Sequence, residues 1–169
     1  MLERNGKIVG MDLHHIVEAL LWYNVLSMSI WFGGTIYQML VIVPLWSAAP
    51  PDSVRSFFTE TEYTRTIGNF FGRPTQILRA VPLFLLAIVG WQNQNLRLWL
   101  ATPALCMAIA LAMTIAYIYP INDTLIFKAG RDLEAAKVRG LVRRWIVADR
   151  VRLAIMTIGF LSLLNAFRM

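Results

Sequence analysis

Apolar residues fall into four long runs along the chain, and the polar and charged residues collect between them. An α-helix rises about 1.5 Å per residue, so about 20 apolar residues cross about 30 Å of hydrocarbon. The first run, residues 17–44 (VEALLWYNVLSMSIWFGGTIYQMLVIVP), exceeds that length and predicts a helix that tilts or projects from the membrane. Gly33 and Gly34 lie inside it, where small residues let a neighbouring backbone approach closely in lipid. The second run, 76–91, is short and contains Pro82; Pro74 is placed for its first turn, where a missing N–H costs little. The third, 98–119, repeats Ala104, Ala108, Ala112 and Ala116, which predicts a close-packing stripe. The fourth covers 151–167.

Two connecting segments have patterns of their own. Residues 47–73 are polar and aromatic, begin near the pair Pro50-Pro51, and predict one or two short helices lying on the membrane surface. The basic stretch 131–150 places Leu133, Val138, Leu141, Val142 and Trp145 roughly on one side, with arginines over much of the rest. It predicts a helix in the headgroup layer that then turns into the bilayer. The expected fold is all-α: one membrane domain over 1–169, an integral membrane four-helix bundle with short interfacial helices in the first and third loops.

Composition sharpens the class. Of 169 residues, 57% are hydrophobic and 15% charged, against about 45–50% and about 25% in an ordinary soluble domain. The net charge of +6 comes from basic residues beside the apolar runs, where cytoplasmic loops and anionic lipid headgroups account for them better than nucleic acid does. Lysines and arginines concentrate in 55–79 and 128–152, which predicts those segments inside and both termini outside a bacterial-type inner membrane. The N-terminal apolar run is too long for a cleavable signal peptide and is expected to stay as the first span. Cys106, the single cysteine, lies mid-span; it excludes an intrachain disulfide and cysteine-based metal motifs, and reads as a buried thiol.

Polar residues within a bilayer are costly, so each is a functional candidate. Trp145, Asp149 and Arg152 stand at i, i+4 and i+7 and share a helical face. Tyr117, Tyr119, Pro120, Asn122 and Asp123 close the third run at the same boundary, and Arg79 enters the second run from that side. Together they predict a polar pocket at the cytoplasmic mouth of the bundle. In it Arg152 holds an anion, enolate or carbonyl oxygen, Asp149 acts as general base or orients Arg152, and Asn122 faces the stripe. Trp145, Tyr119 and Arg79 border the substrate. The alternative is an interfacial salt bridge anchoring the last helix, with Trp145 in an aromatic belt. At the opposite end, His14, His15 and Glu18 are either solvated residues at a helix start or weak metal ligands, since His14 and Glu18 are four apart. Asn24, Ser27, Ser29 and Gln38 either line a cavity or bond between helices. No GxSxG, Walker A, GxGxxG or HExxH pattern occurs, which leaves hydrolase, nucleotide-driven and zinc-protease readings without support.

The run Pro120-Ile121-Asn122, a basic linker, and Trp145-x3-Asp149-x2-Arg152 opening the last span resembles the DUF1772 family of four-helix membrane proteins, which includes the fungal anthrone oxygenases. Gly33-Gly34 followed by Val43-Pro44 is similar to that family's first span. The resemblance covers the first span and the chain from the third span onward. It departs at Asp149, a position commonly histidine in the family. It implies addition of O2 to a flat phenolic ketone without metal, flavin or other cofactor, with Arg152 stabilising the enolate and Asn122 adding a hydrogen bond. Competing expectations are a non-catalytic membrane protein that binds a lipophilic ligand or partner, including a homo-oligomer, and a small transporter. The transporter ranks last because no acidic residue occurs mid-span.

Overall fold

The computed structural model describes residues 2–60, 62–128, 130–131 and 133–168, and every element among them is helical. Helix α1 (Leu2–Tyr37) runs through a π-turn (Gln38–Ile42) into α2 (Val43–Ser47). Two short helices follow, α3 (Asp52–Glu60) and α4 (Tyr63–Phe71), then α5 (Arg73–Val89). Helix α6 (Gln94–Met113) continues through a π-turn (Thr114–Ile118), α7 (Tyr119–Asn122) and a second π-turn (Asp123–Phe127). Helix α8 (Ala135–Ala166) closes the chain. The long helices pack in the pairs α6–α8, α1–α5, α5–α6 and α1–α8.

Three helical stretches are long and apolar enough to cross a membrane: Leu13–Ser47, Asn69–Gln92 and Gln94–Phe127. Their outward faces are apolar, with Leu98 77% exposed and Leu40 72% exposed. That is the pattern of a membrane protein, whose exterior meets lipid rather than water.

Proline explains two of the π-turns. A proline inside a helix lacks an N–H and presses on the carbonyl four residues back. Pro44 and Pro120 each stand just beyond a π-turn, where Val43 bonds back to Gln38 and Tyr119 bonds back to Thr114. The wider turn makes room for the ring, so the helix continues. The third apolar helix therefore extends to Phe127 instead of stopping near residue 119.

Packing corrects three further expectations. The basic stretch and the last apolar run are one uninterrupted 32-residue helix, α8, with no turn between them. Its buried seam, Val138, Val142, Trp145, Asp149, Arg152, Met156, Gly159, Leu163 and Ala166, alternates steps of four and three residues and forms one continuous packing face. The alanine stripe of α6 is not that helix's packing face within the chain: Ala108, Ala112 and Ala116 are exposed, while Leu100, Pro103, Met107, Ala110 and Thr114 are buried. Steps of four drift about 40° per repeat away from a seam built on threes and fours. Close helix approach comes instead from Gly159, where an added Cβ would lie 3.0 Å from the Cys106 Cβ and 3.3 Å from the Pro103 Cα. Gly33 faces open space, and Gly34 receives the ring of Phe70 rather than a backbone.

The segment 47–73 does contain two short helices, but α3 also enters the core. Its Val54 and Phe58 are buried with Trp46 and Trp145, and Arg55 Nη2 donates to the Leu133 carbonyl at 3.2 Å. The core divides into two apolar clusters. One centres on Val43, Trp46, Ile118, Leu125, Val142 and Trp145; the other on Met28, Trp31, Leu83, Leu100, Met107 and Met156. Between them lies a layer of buried polar residues.

Candidate functional site

Each long helix contributes to that layer through its inward stripe. Helix α1 buries Asn24, Met28, Trp31, Thr35 and Gln38 at alternating steps of four and three; α5 buries Arg79; the α6 rod buries Thr114; α8 buries Asp149 and Arg152. Arg79 stands about 9 Å along α5 from Arg73 at 1.5 Å per residue, inside the second apolar stretch.

Arg152 is its organising residue. The guanidinium pairs with the Asp149 carboxylate, one turn earlier on the same helix, through Nη2 and Oδ1. Its Nη1 donates to Thr114 Oγ1 at 3.2 Å, and that hydroxyl in turn donates to the Ala110 carbonyl. Trp31 lies under both cations: the Arg152 and Arg79 guanidinium carbons are 5.8 Å and 5.1 Å from its ring centre. The indole face attracts a cation most strongly where water is excluded.

Several buried polar atoms have no hydrogen-bond partner: Arg79 Nε and Nη2, Arg152 Nε, Asp149 Oδ2, Trp31 Nε1 and Gln38 Oε1. An unmade hydrogen bond inside a protein costs roughly 1–3 kcal/mol, so unpaired groups gathered in one layer call for an explanation. Two guanidiniums face one carboxylate, which leaves the layer with an excess of one positive charge. Gln38 and Thr114 are also the first residues of the two proline-associated π-turns, and such turns recur at functional sites.

Two apolar grooves lead to this layer. One, of about 330 Å³, opens between α1 and α5 and is lined by Tyr23, Ser27, Ile30, Phe70, Leu78, Trp31 and Arg79. The other, of about 440 Å³, lies between α5 and α6, with Arg73, Gln76, Ala80, Phe84, Thr114 and Tyr119 on its walls. Both share walls with a small inner cavity, about 10 Å³, where Trp31, Gln76, Arg79, Thr114 and Arg152 meet. That space holds about one water. Asp149 is fully buried and absent from the walls of these three cavities.

The sequence candidates separate on this geometry. Arg152 and Asp149 form a unit, with Arg79 beside it across Trp31. Asn122 meets the stripe, but two turns away: its Oδ1 accepts from Trp145 Nε1 at 2.6 Å, and Trp145 stacks edge-on against Trp46. Tyr119 turns toward the α5–α6 groove beneath Arg73, Tyr117 faces outward, and Asp123 is exposed. Asn24 and Ser29 bond back to carbonyls of their own helix. His15 Nδ1 lies 4.0 Å from Glu18 Oε2, both side chains exposed, and His14 and Glu18 border a separate cavity of about 580 Å³ at the far end of the bundle. No group of three or more His, Cys, Asp or Glu side chains gathers among the described residues. Thr114 and Trp31 were missed, and Gln38 was read only as one of four residues that line a cavity or bond between helices. The recurrence of polar residues on one inner stripe of α1 was the available signal.

Helix α4 adds one group from outside the spans. Tyr63 packs edge-on against Phe57 at 5.3 Å. Burial first, then the negative charge of Asp149 and the nearby Tyr37, pushes its phenol well above the usual tyrosine range, so it stays protonated.

Residues 65–162, more than half of the chain, match the sequence model of the anthrone oxygenase family. The chain belongs to that family. Neither the curated proteins nor the solved structures contain a match to it. The family match takes in Arg79, Thr114, Asn122, Trp145, Asp149 and Arg152, while Trp31 and Gln38 lie in the helical stretch that precedes it.

Proposed function

We propose that this member of the anthrone oxygenase family is a membrane-embedded oxygenase of a flat, lipophilic aromatic ketone. The substrate enters the groove between α1 and α5 sideways from the bilayer and presents its oxygen to Arg79. One observation carries the reading: Arg79 is buried, uncommitted at Nε and Nη2, and forms the inner wall of an apolar groove of ligand size. Arg152 is held by Asp149 and Thr114 and supplies fixed positive potential behind it. A ketone with an acidic C–H gives that proton to hydroxide from solvent and becomes an enolate, whose oxygen the guanidinium stabilises. The enolate carbon gives its electron pair to O2; the peroxide anion takes a proton from water, which returns the hydroxide, and the hydroperoxide loses water and leaves a new carbonyl. The balance is one ArCH2 group and one O2 giving ArC=O and H2O, with neither metal nor flavin required.

In the same reading α8 crosses the bilayer over 151–167 as a fourth span, α3 and α4 rest near the membrane surface, and the basic segments face the cytoplasm. The test is O2 uptake by membranes carrying the protein and supplied with an anthrone-type substrate. Uptake by the wild type, lowered about 10²–10³-fold in Arg79→Met, supports it. No uptake by the wild type removes it.

A second reading rests on Asp149. The layer's one carboxylate is shut away from the cavity walls, so a substrate in the groove meets no free base. A protein that binds such a molecule without turnover accounts for this. Saturable binding of the aromatic with no O2 consumption would select that alternative.

A further inference from the structure

A further groove, with a volume of about 870 Å³, lies between α6 and α8. Ala112 and Ala116 line one wall and Val147 and Val151 the other, with Arg143 and Arg144 beside them. The alanines that do not serve internal packing form an open channel here. Gly140 also borders it, and a Cβ at that position would meet nothing within 4 Å.

Charge says what suits the channel. From Ala135 to Arg150 the exposed ionisable residues of α8 are Lys137, Arg139, Arg143, Arg144 and Arg150, every one a cation. The acid of this stretch, Asp149, is buried and committed to Arg152. Among the described residues Arg143 and Arg144 make no ion pair. They precede Val151, where the last apolar run begins, by about 10 Å along the helix. A phosphate at the headgroup level would therefore sit on the two guanidiniums while an acyl chain runs down the alanine–valine channel.

We propose that the α6–α8 groove is a binding site for one anionic phospholipid, clamped at its phosphate by Arg143 and Arg144. This is independent of the oxygenase activity and rests on α8 crossing the bilayer over its last apolar run. A second copy of the chain fits less well. A two-fold contact through this face would bring the same arginines of both copies together, and like charges at close range repel.

The experiment is mass spectrometry of the detergent-purified full-length protein, together with thermal unfolding in nanodiscs of phosphatidylcholine with and without phosphatidylglycerol. The wild type is expected to retain phosphatidylglycerol and to gain stability from it. Arg143→Gln/Arg144→Gln is expected to lower retention about thirtyfold, given about a tenfold loss for every 1.4 kcal/mol and about 1 kcal/mol per basic residue near an anionic surface. Gly140→Leu places a side chain in open space at the groove, so it blocks the lipid without disturbing the fold; unchanged circular dichroism confirms that. Equal retention of phosphatidylcholine and phosphatidylglycerol by the wild type overturns the proposal. So does a lipid-free dimer abolished by Gly140→Leu, or full retention in both variants.

Discussion

Two clusters of ionisable residues, one in the middle of the bundle and one at its end, have opposite characters. Asp149, Arg152 and Arg79 are buried in a layer sealed above and below by apolar clusters. His14, His15 and Glu18 project from the start of the first apolar stretch, and their closest pairing is the 4.0 Å contact between exposed His15 and Glu18. The difference is one of dielectric surroundings. Water screens the second cluster, so its residues interact weakly and are free to change. The first is cut off from water, where a charge must be matched by protein or by a ligand. Burial, more than residue type or spacing, separates a candidate site from a helix end.

The sharpest way to break the comparison is to remove one partner of the buried pair. Arg152→Ala leaves the Asp149 carboxylate fully buried and unmatched, a loss expected at about 3–5 kcal/mol. It would appear as a collapse of the folded fraction in detergent, measured by thermal unfolding and size exclusion. Asp149→Ala/Arg152→Ala removes both charges and is expected to recover much of that loss. Recovery would show that the pair balances charge, beyond any anchoring role.

Overpacking comes next in size. Gly159→Ala sets a Cβ against Cys106 and Pro103 and should cost about 1–3 kcal/mol, whereas Gly33→Ala opens onto free space and should be neutral or slightly stabilising. Thermal unfolding of the two variants side by side checks the seam between α6 and α8. An equal response would place that seam elsewhere.

Asn122→Ala takes the acceptor from Trp145 Nε1 and leaves a buried donor unmade, for about 1–3 kcal/mol at most. Because Asn122 is two turns from Arg152, O2 uptake at saturating substrate is expected to change little, in contrast with Arg79→Met. A loss of turnover comparable to that of Arg79→Met would move the reacting atoms toward Trp145.

The smallest effect belongs to the exposed cluster. Combined replacement of His14, His15 and Glu18 by alanine is expected to shift stability by no more than about 0.5 kcal/mol and to leave metal content unchanged. Loss of a bound metal, read by elemental analysis, would give that end of the bundle a function of its own.

Much of the fold was legible from hydrophobic patterning, because a span needs a run of apolar residues that nothing else in the chain imitates. Asp149 and Arg152 were legible too: their spacing alone puts them on one face, and charges beside an apolar run are conspicuous. The sequence by itself determined an all-helical membrane protein and its family. What only the tertiary structure decided is which groups share a cavity. Arg79, Trp31, Thr114 and Arg152 lie on four different helices, and their meeting depends on how the inward stripes of α1, α5, α6 and α8 register. The same packing turned the alanines of α6 outward and made Gly159 the point of close approach. The physical reason is that one helix's periodicity fixes its faces, whereas side-chain volumes on all the others decide which face is buried and at what depth.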